Sequence, residues 1–346
     1  MNSIQLPRGL EAFNDSQLTE AREATAHLTA ADLRNIGEPT TFELRDGRET
    51  FYYSYPLEGA EGTIFFYQAV NQNMTPQAMA QVYAMQALLN RSVVVFPQNS
   101  IGFNRAERKQ IRRGDFSPYG EIRLQGIEHA LGSGAVGGEI TIAGYSFGAT
   151  DAAASGAAIA KHKSLEVTAA VLAEPANITK RNIGRLALDL FSTSSKDLIH
   201  AVQAADFPAL TELYKIAPSG KSSAYLRRDF LKFAKNFLKI GNGNGNASLG
   251  LTKPEFASDV IGMFDAMANN GLVFLHEDLD SKITPEGALD QQYREIETAN
   301  IISNRRTIAL RKLRTTTLDK QGHALGDNPW AWASIIRSAL EAQKEL

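Results

Sequence analysis

The 346-residue sequence contains no cysteine. That absence excludes disulfides, thiolate metal ligands, cysteine-ligated iron–sulfur clusters and a cysteine nucleophile. Histidine is sparse, at His27, His129, His162, His200, His276 and His323, and no two of them stand in His-x-His or His-Glu-x-x-His spacing. No metal is therefore expected. An excess of one charge is also lacking: 36 basic and 38 acidic residues leave a formal net charge of -2. Such a chain has no large electrostatic bias toward nucleic acid or an anionic membrane. No apolar run approaches the ~18 residues of a membrane span, and none near the N terminus suggests a signal peptide. The expectation is a soluble, cytoplasmic protein with no nucleic-acid partner and no membrane span, its oligomeric state left open.

Nucleotide-binding signatures are missing as well. No Gly-x-Gly-x-x-Gly follows the early strand patterns, and no phosphate-cradling glycine loop with its lysine is present. The glycine-rich stretch 132–138 leads into a strand pattern rather than a helix, so it reads as a turn. No cofactor is expected.

What the chain does contain is a rhythm. Residues 1–35 carry apolar positions such as Leu18, Ala21, Ala24 and Leu28 at helical spacing, which reads as an N-terminal helical arm. Partial alternation at 41–45 and 49–55, around Asp46-Gly47, predicts an antiparallel hairpin. Buried-strand patterns follow at 63–67, 92–96, 138–143, 167–173 and 272–275, with helical periodicity at 76–89 and 121–131. A further helix is expected at 285–298, a late strand at 307–314 and a closing amphipathic helix at 329–346. Strands alternating with helices imply a mostly parallel sheet covered on both faces. Residues 178–268 break the rhythm and are largely helical by pattern, which divides the chain into an arm (1–35), a core (36–177 and 269–346) and an inserted segment (178–268). The basic run 105–113 is interleaved with Glu107 and followed by Asp115, so it reads as a solvated face or a site rim rather than a nucleic-acid groove.

The stretch with chemical content is Gly144-Tyr145-Ser146-Phe147-Gly148, between a predicted strand and an alanine-rich helix. The pattern Gly-x-Ser-x-Gly suits a sharp strand-to-helix turn, because bulkier flanking residues would collide with the adjacent strand and helix. In this setting the segment resembles the nucleophile elbow of the α/β-hydrolase family. The resemblance spans roughly 40–346 and implies an α/β-hydrolase-like fold with a mainly helical cap insertion. It also implies Ser146 as nucleophile.

A serine hydroxyl needs a base, and the base needs an orienting acid. The Gly322-His323 pair, after the last predicted strand and before the closing helix, resembles the family's base loop and implies His323 as the base. The family commonly carries its aspartate a few residues past the strand at 272–275, before an aliphatic-Pro stretch. Asp280, before Ile283-Thr284-Pro285, matches best, although Thr284 interrupts the pattern. Asp278, nearer the strand end, and Glu174, after the preceding strand, stay open as alternatives. For the oxyanion the resemblance implies the backbone N–H of Phe147 and a donor from the turn after Tyr67. Where many members have His-Gly, this chain has Gln68-Ala69, whose backbone still supplies donors; the Gln68 side chain is a further candidate.

The resemblance implies cleavage of a small-molecule carboxylic ester through an acyl-enzyme. Acyl transfer and amide hydrolysis use the same machinery. A non-catalytic binding protein on the same scaffold is a further alternative, since the fold hosts several functions.

Overall fold

A computed structural model describes residues 16–69, 74–163, 165–175, 177, 206–214, 247, 249–253, 256–278, 294, 296, 313–318 and 328–345. Asp280, His323, most of the expected helix 285–298 and most of 178–268 lie outside the described residues.

Eight strands form one sheet in the order β1-β2-β4-β3-β5-β6-β7-β8. They are β1 Thr40–Glu43, β2 Glu49–Tyr55, β3 Gly62–Tyr67, β4 Arg91–Phe96, β5 Glu139–Tyr145, β6 Val167–Ala173, β7 Met267–Asp278 and β8 Leu313–Leu318. The first two make the expected hairpin, and β2 joins β4 antiparallel. Every pairing from β4 across to β8 is parallel. The late strand runs to Leu318, past the expected end at Arg314, while positions 307–312 of the expected span lie outside the described residues. Its sequence, LRTTTL, carries a run of β-branched threonines that favours extended backbone.

The central parallel strands β3 to β6 and the middle of β7 are largely apolar, and their side chains divide by parity because successive residues of a strand face opposite ways. Ile64, Phe66, Val93, Val95, Ala169, Val171, Leu272 and Phe274 enter one core layer. Their neighbours Phe65, Tyr67, Val94, Phe96, Ala170, Leu172, Val273 and Leu275 enter the other.

The first layer is covered by α1 Ser16–Thr25, α2 Ala30–Arg34, α3 Pro76–Leu89, α7 Pro208–Tyr214 and α9 Pro329–Lys344. The start of α9 is fixed by Asn328, whose side-chain oxygen accepts from the N–H groups of Trp330 and Ala331 at 3.2 and 3.1 Å, with Pro329 at the first helical position. That start places Trp330 beside Phe207, ring centroids 5.7 Å apart, and Trp332 beside Phe66 at 5.9 Å.

The second layer is covered by α5 Ser117–Gly132, α6 Phe147–His162 and α8 Phe256–Met263. Small residues line α6: Ala149, Ala152, Ala153, Ala154, Gly156 and Ala158 are all buried. Its neighbours consequently approach almost to backbone contact. A side chain on Gly120 of α5 would strike the Ala154 carbonyl, and one on Gly156 would strike Met263 of α8.

The remaining helix, α4 Arg105–Arg112, starts on a capping box between Asn104 and Glu107. It buries Ile111 and exposes Arg105, Arg108, Lys109 and Arg112, so its basic residues do form a solvated face.

Candidate active site

The parallel register sets the geometry of the sheet's C-terminal edge. Tyr67 pairs with Gly144, Tyr145 with Ala173, and Ala173 with His276. The residues that come next along β3, β5 and β6 are Gln68, Ser146 and Glu174, which leave the sheet side by side. A ligand crevice outside the carboxyl ends of the strands is the general arrangement of open α/β sheets.

Ser146 stands between β5 and α6 with φ 57° and ψ -122°. Left-handed backbone of this kind is rare for a residue with a side chain and costs about 1–3 kcal/mol. Surrounding bonds hold it there. The Ser146 N–H donates to the Ala173 carbonyl at 2.9 Å, and its own carbonyl accepts from the N–H of Ala149 at 3.1 Å. The flanking glycines are required by close approach. A Cβ on Gly144 would strike the Gly148 carbonyl, and one on Gly148 would strike the Tyr67 carbonyl and lie 3.0 Å from that of Gln68. The motif therefore presses the first turn of α6 directly against the turn that follows β3. Ser146 itself is 3 % exposed.

Phe147 is the first residue of the 16-residue helix α6, so its N–H belongs to the unsatisfied, positively polarised end of the helix. Its buried ring stands edge-on to Phe116 and Tyr119, with centroids 5.6 and 5.2 Å away. Gln68 is fully buried. Its backbone N–H donates to the Phe96 carbonyl at 3.4 Å, and its side-chain Nε2 lies 3.7 Å from the Met74 sulfur. Ala69, next in the chain, is 7 % exposed.

Of the candidate acids, Glu174 is fully buried at the end of β6 with φ 51°, a second left-handed residue beside the elbow. Its N–H donates to the His276 carbonyl at 2.9 Å. The segment beyond it is tied to α6, where Thr150 Oγ1 donates to Asn177 Oδ1 at 2.6 Å. Asp278 is the last residue of β7 and pairs in register with Leu318 of β8. Ser146, Phe147, Gln68, Ala69 and Glu174 are thus brought to one edge, with the backbone of Asp278 at the end of β7. Asp280 and His323 are outside the described residues. Buried His276, one register step below Glu174, has its imidazole pKa pushed down to about 3 by desolvation.

Beneath the elbow lies a buried polar cluster that the sequence reading did not single out. Asp151 of α6 and Arg123 of α5 are 0 % and 1 % exposed and pair through Arg123 Nε and Asp151 Oδ2 at 2.9 Å. Arg123 also donates to Ser100 Oγ at 2.9 Å and to the Pro97 carbonyl at 3.2 Å, and its guanidinium carbon sits 5.1 Å from the Phe96 ring centroid. Gln98 Nε2 donates to Asp151 Oδ2 at 3.2 Å and to the Gln68 carbonyl at 2.9 Å. Burial pushes the Asp151 carboxyl above its ordinary value, while the adjacent Arg123 and the Gln98 hydrogen bond draw it back. The sequence held one signal for the cluster: single charges at 123 and 151 inside otherwise apolar helix faces.

Among the described residues no group of three or more His, Asp or Glu side chains could hold a metal ion. No helix among them is long and apolar enough to cross a membrane. Comparison with family models finds no match, and neither does comparison with curated proteins.

Solved structures do match. A protein described as an aryl esterase from Burkholderia cenocepacia is similar over 88 % of this chain and 100 % of its own, at 10 % identity and a TM-score of 0.52. An esterase from Pyrococcus furiosus is similar over 99 % of this chain and 98 % of its own, at 11 % identity and a TM-score of 0.50. With the strand order, the parallel register and the strained serine turn between β5 and α6, these likenesses establish that the chain has the α/β-hydrolase fold.

Proposed function

We propose that this protein is a serine hydrolase that cleaves a carboxylic ester through an acyl-enzyme. The observation that carries the reading is the strained backbone of Ser146, held between β5 and the N-terminus of α6. Strain maintained at a polar residue on the ligand-binding edge of a sheet marks a functional position. The two similar structures named above are esterases, which agrees with the reading.

In the proposed reaction His323 removes the Ser146 proton as Oγ attacks the ester carbonyl. Asp280 orients the imidazole, with Asp278 and Glu174 as alternatives for that role. The tetrahedral oxyanion is held by the N–H of Phe147, aided by the positive end of α6, and by a donor from the turn after β3. The candidate backbone donors there are the N–H groups of Gln68, which also donates to the Phe96 carbonyl, and of Ala69. His323 then protonates the leaving alcohol, water attacks the acyl-enzyme, and Ser146 is regenerated. Transfer of the acyl group to another acceptor, or cleavage of an amide, would follow the same steps.

The 3 % exposure of Ser146 favours a second reading, a non-catalytic binding protein on this scaffold. Labelling with a fluorophosphonate, native against Ser146→Ala, separates the two. Labelling that disappears in a folded variant supports the hydrolase. A folded native protein that neither labels nor turns over short-chain esters supports the binding protein.

A further inference from the structure

We infer that Gln98 is a positioning residue for the oxyanion site, acting through the Gln68–Ala69 peptide; this rests on the hydrolase reading above. The carbonyl of Gln68 and the N–H of Ala69 belong to one peptide unit, which is planar and normally trans. In that geometry the two groups point in opposite directions, so whatever fixes the carbonyl also aims the N–H. The carbonyl accepts from Gln98 Nε2 at 2.9 Å and faces the buried cluster beneath the elbow. The Ala69 N–H is consequently directed away from that cluster.

Gln98 is itself held by Asp151. Its Nε2 reaches Asp151 Oδ2 at 3.2 Å, and Arg123 grips the same oxygen at 2.9 Å. Asp151 lies on α6, the helix whose first N–H, that of Phe147, is the other proposed oxyanion donor. The amide of Gln98 therefore couples the two donors: it ties the turn after β3 to the helix after β5. Gln98 and Asp151 are 3 % and 0 % exposed, so their bonds are made without competing solvent and hold their geometry. A charged side chain at 98 would face Asp151 or Arg123 unpaired; a neutral amide supplies the donor without a net charge.

The test compares Gln98→Met, which keeps the chain length and removes both donors, with Thr50→Val. The latter breaks a neighbouring bond, Thr50 Oγ1 to the Ser100 carbonyl at 2.7 Å, that is no part of the Gln68 tether. Gln98→Met is expected to lower kcat about tenfold to a hundredfold with KM unchanged, and to weaken a boronic acid transition-state mimic by a similar factor. Thr50→Val is expected to lose stability and keep its kcat. Gln98→Asn, whose amide falls short of Gln68, provides the same test should the Met variant fail to fold.

A kcat in the Gln98 variants within twofold of native, or an equal loss in Thr50→Val, overturns the inference. Hydrogen exchange supplies a readout independent of activity: the Ala69 amide should exchange faster in Gln98→Met while β5 is unchanged, and unchanged exchange at Ala69 also overturns the tether. A native protein that neither labels nor turns over esters overturns the hydrolase reading instead, while the exchange result still decides whether the tether exists.

Discussion

The Ser146 N–H donates to the Ala173 carbonyl at 2.9 Å, so the elbow is bolted to the end of β6 one residue before the buried, left-handed Glu174. Neither bend is relaxed on its own; each is held by a hydrogen bond from the next strand across. Replacing Ser146 by glycine should release the strain at that residue and stabilise the fold by ~1 kcal/mol, after the entropic cost of glycine is subtracted. The same variant should lose ester hydrolysis by at least about a thousandfold. Urea denaturation and an esterase assay on one preparation check both halves.

Gly148 sits where a Cβ would strike the Tyr67 carbonyl. Gly148→Ala should therefore cost about 1–3 kcal/mol by forcing α6 away from the turn after β3. The displacement acts on both proposed oxyanion donors, so kcat should fall further than stability alone explains, measured well below the melting temperature.

The Arg123–Asp151 pair is buried and extensively hydrogen-bonded. Asp151→Ala strands a guanidinium in the core and should cost about 3–5 kcal/mol. The double variant Arg123→Met/Asp151→Leu removes both charges and should be less destabilised than Asp151→Ala alone. A double-mutant cycle by chemical denaturation measures the coupling.

His276 should make the fold acid-sensitive. Its folded pKa is pushed down to about 3 from an ordinary 6.5, so between those values the unfolded chain binds the extra proton. Stability is then fully present above pH 6.5 and falls as the pH drops toward 3. His276→Gln should flatten that slope, read from denaturation midpoints at a series of pH values.

Much of this architecture was legible because the central parallel strands β3 to β6 are short, largely apolar runs. The strand at 167–173 and the helix at 76–89 fall where their patterns place them, the strand because its run is nearly all apolar and the helix because Thr75 caps it with Pro76 at its first position. The elbow was legible because two glycines and a serine answer to one steric demand. The end of the late strand was not legible, since the threonines of β8 give neither a clean apolar run nor alternation. The Arg123–Asp151–Gln98 cluster was only hinted at, by its two charges, for a different reason. Its members are separated by 25 or more positions in the sequence, and only the packing of α5 on α6 and the turn after β4 bring them together. A lone charge in an apolar helix says that a partner exists, but periodicity does not name it.

The small-residue surface of α6 has a consequence for how this protein can change. Gly120 meets the backbone of α6 at Ala154, and Gly156 meets the Met263 side chain, so a methyl group added at either glycine has to displace a neighbouring helix or side chain. Substitution at either glycine is therefore coupled to its neighbour across the helix interface, so sequence drift at these two contacts proceeds in compensating pairs.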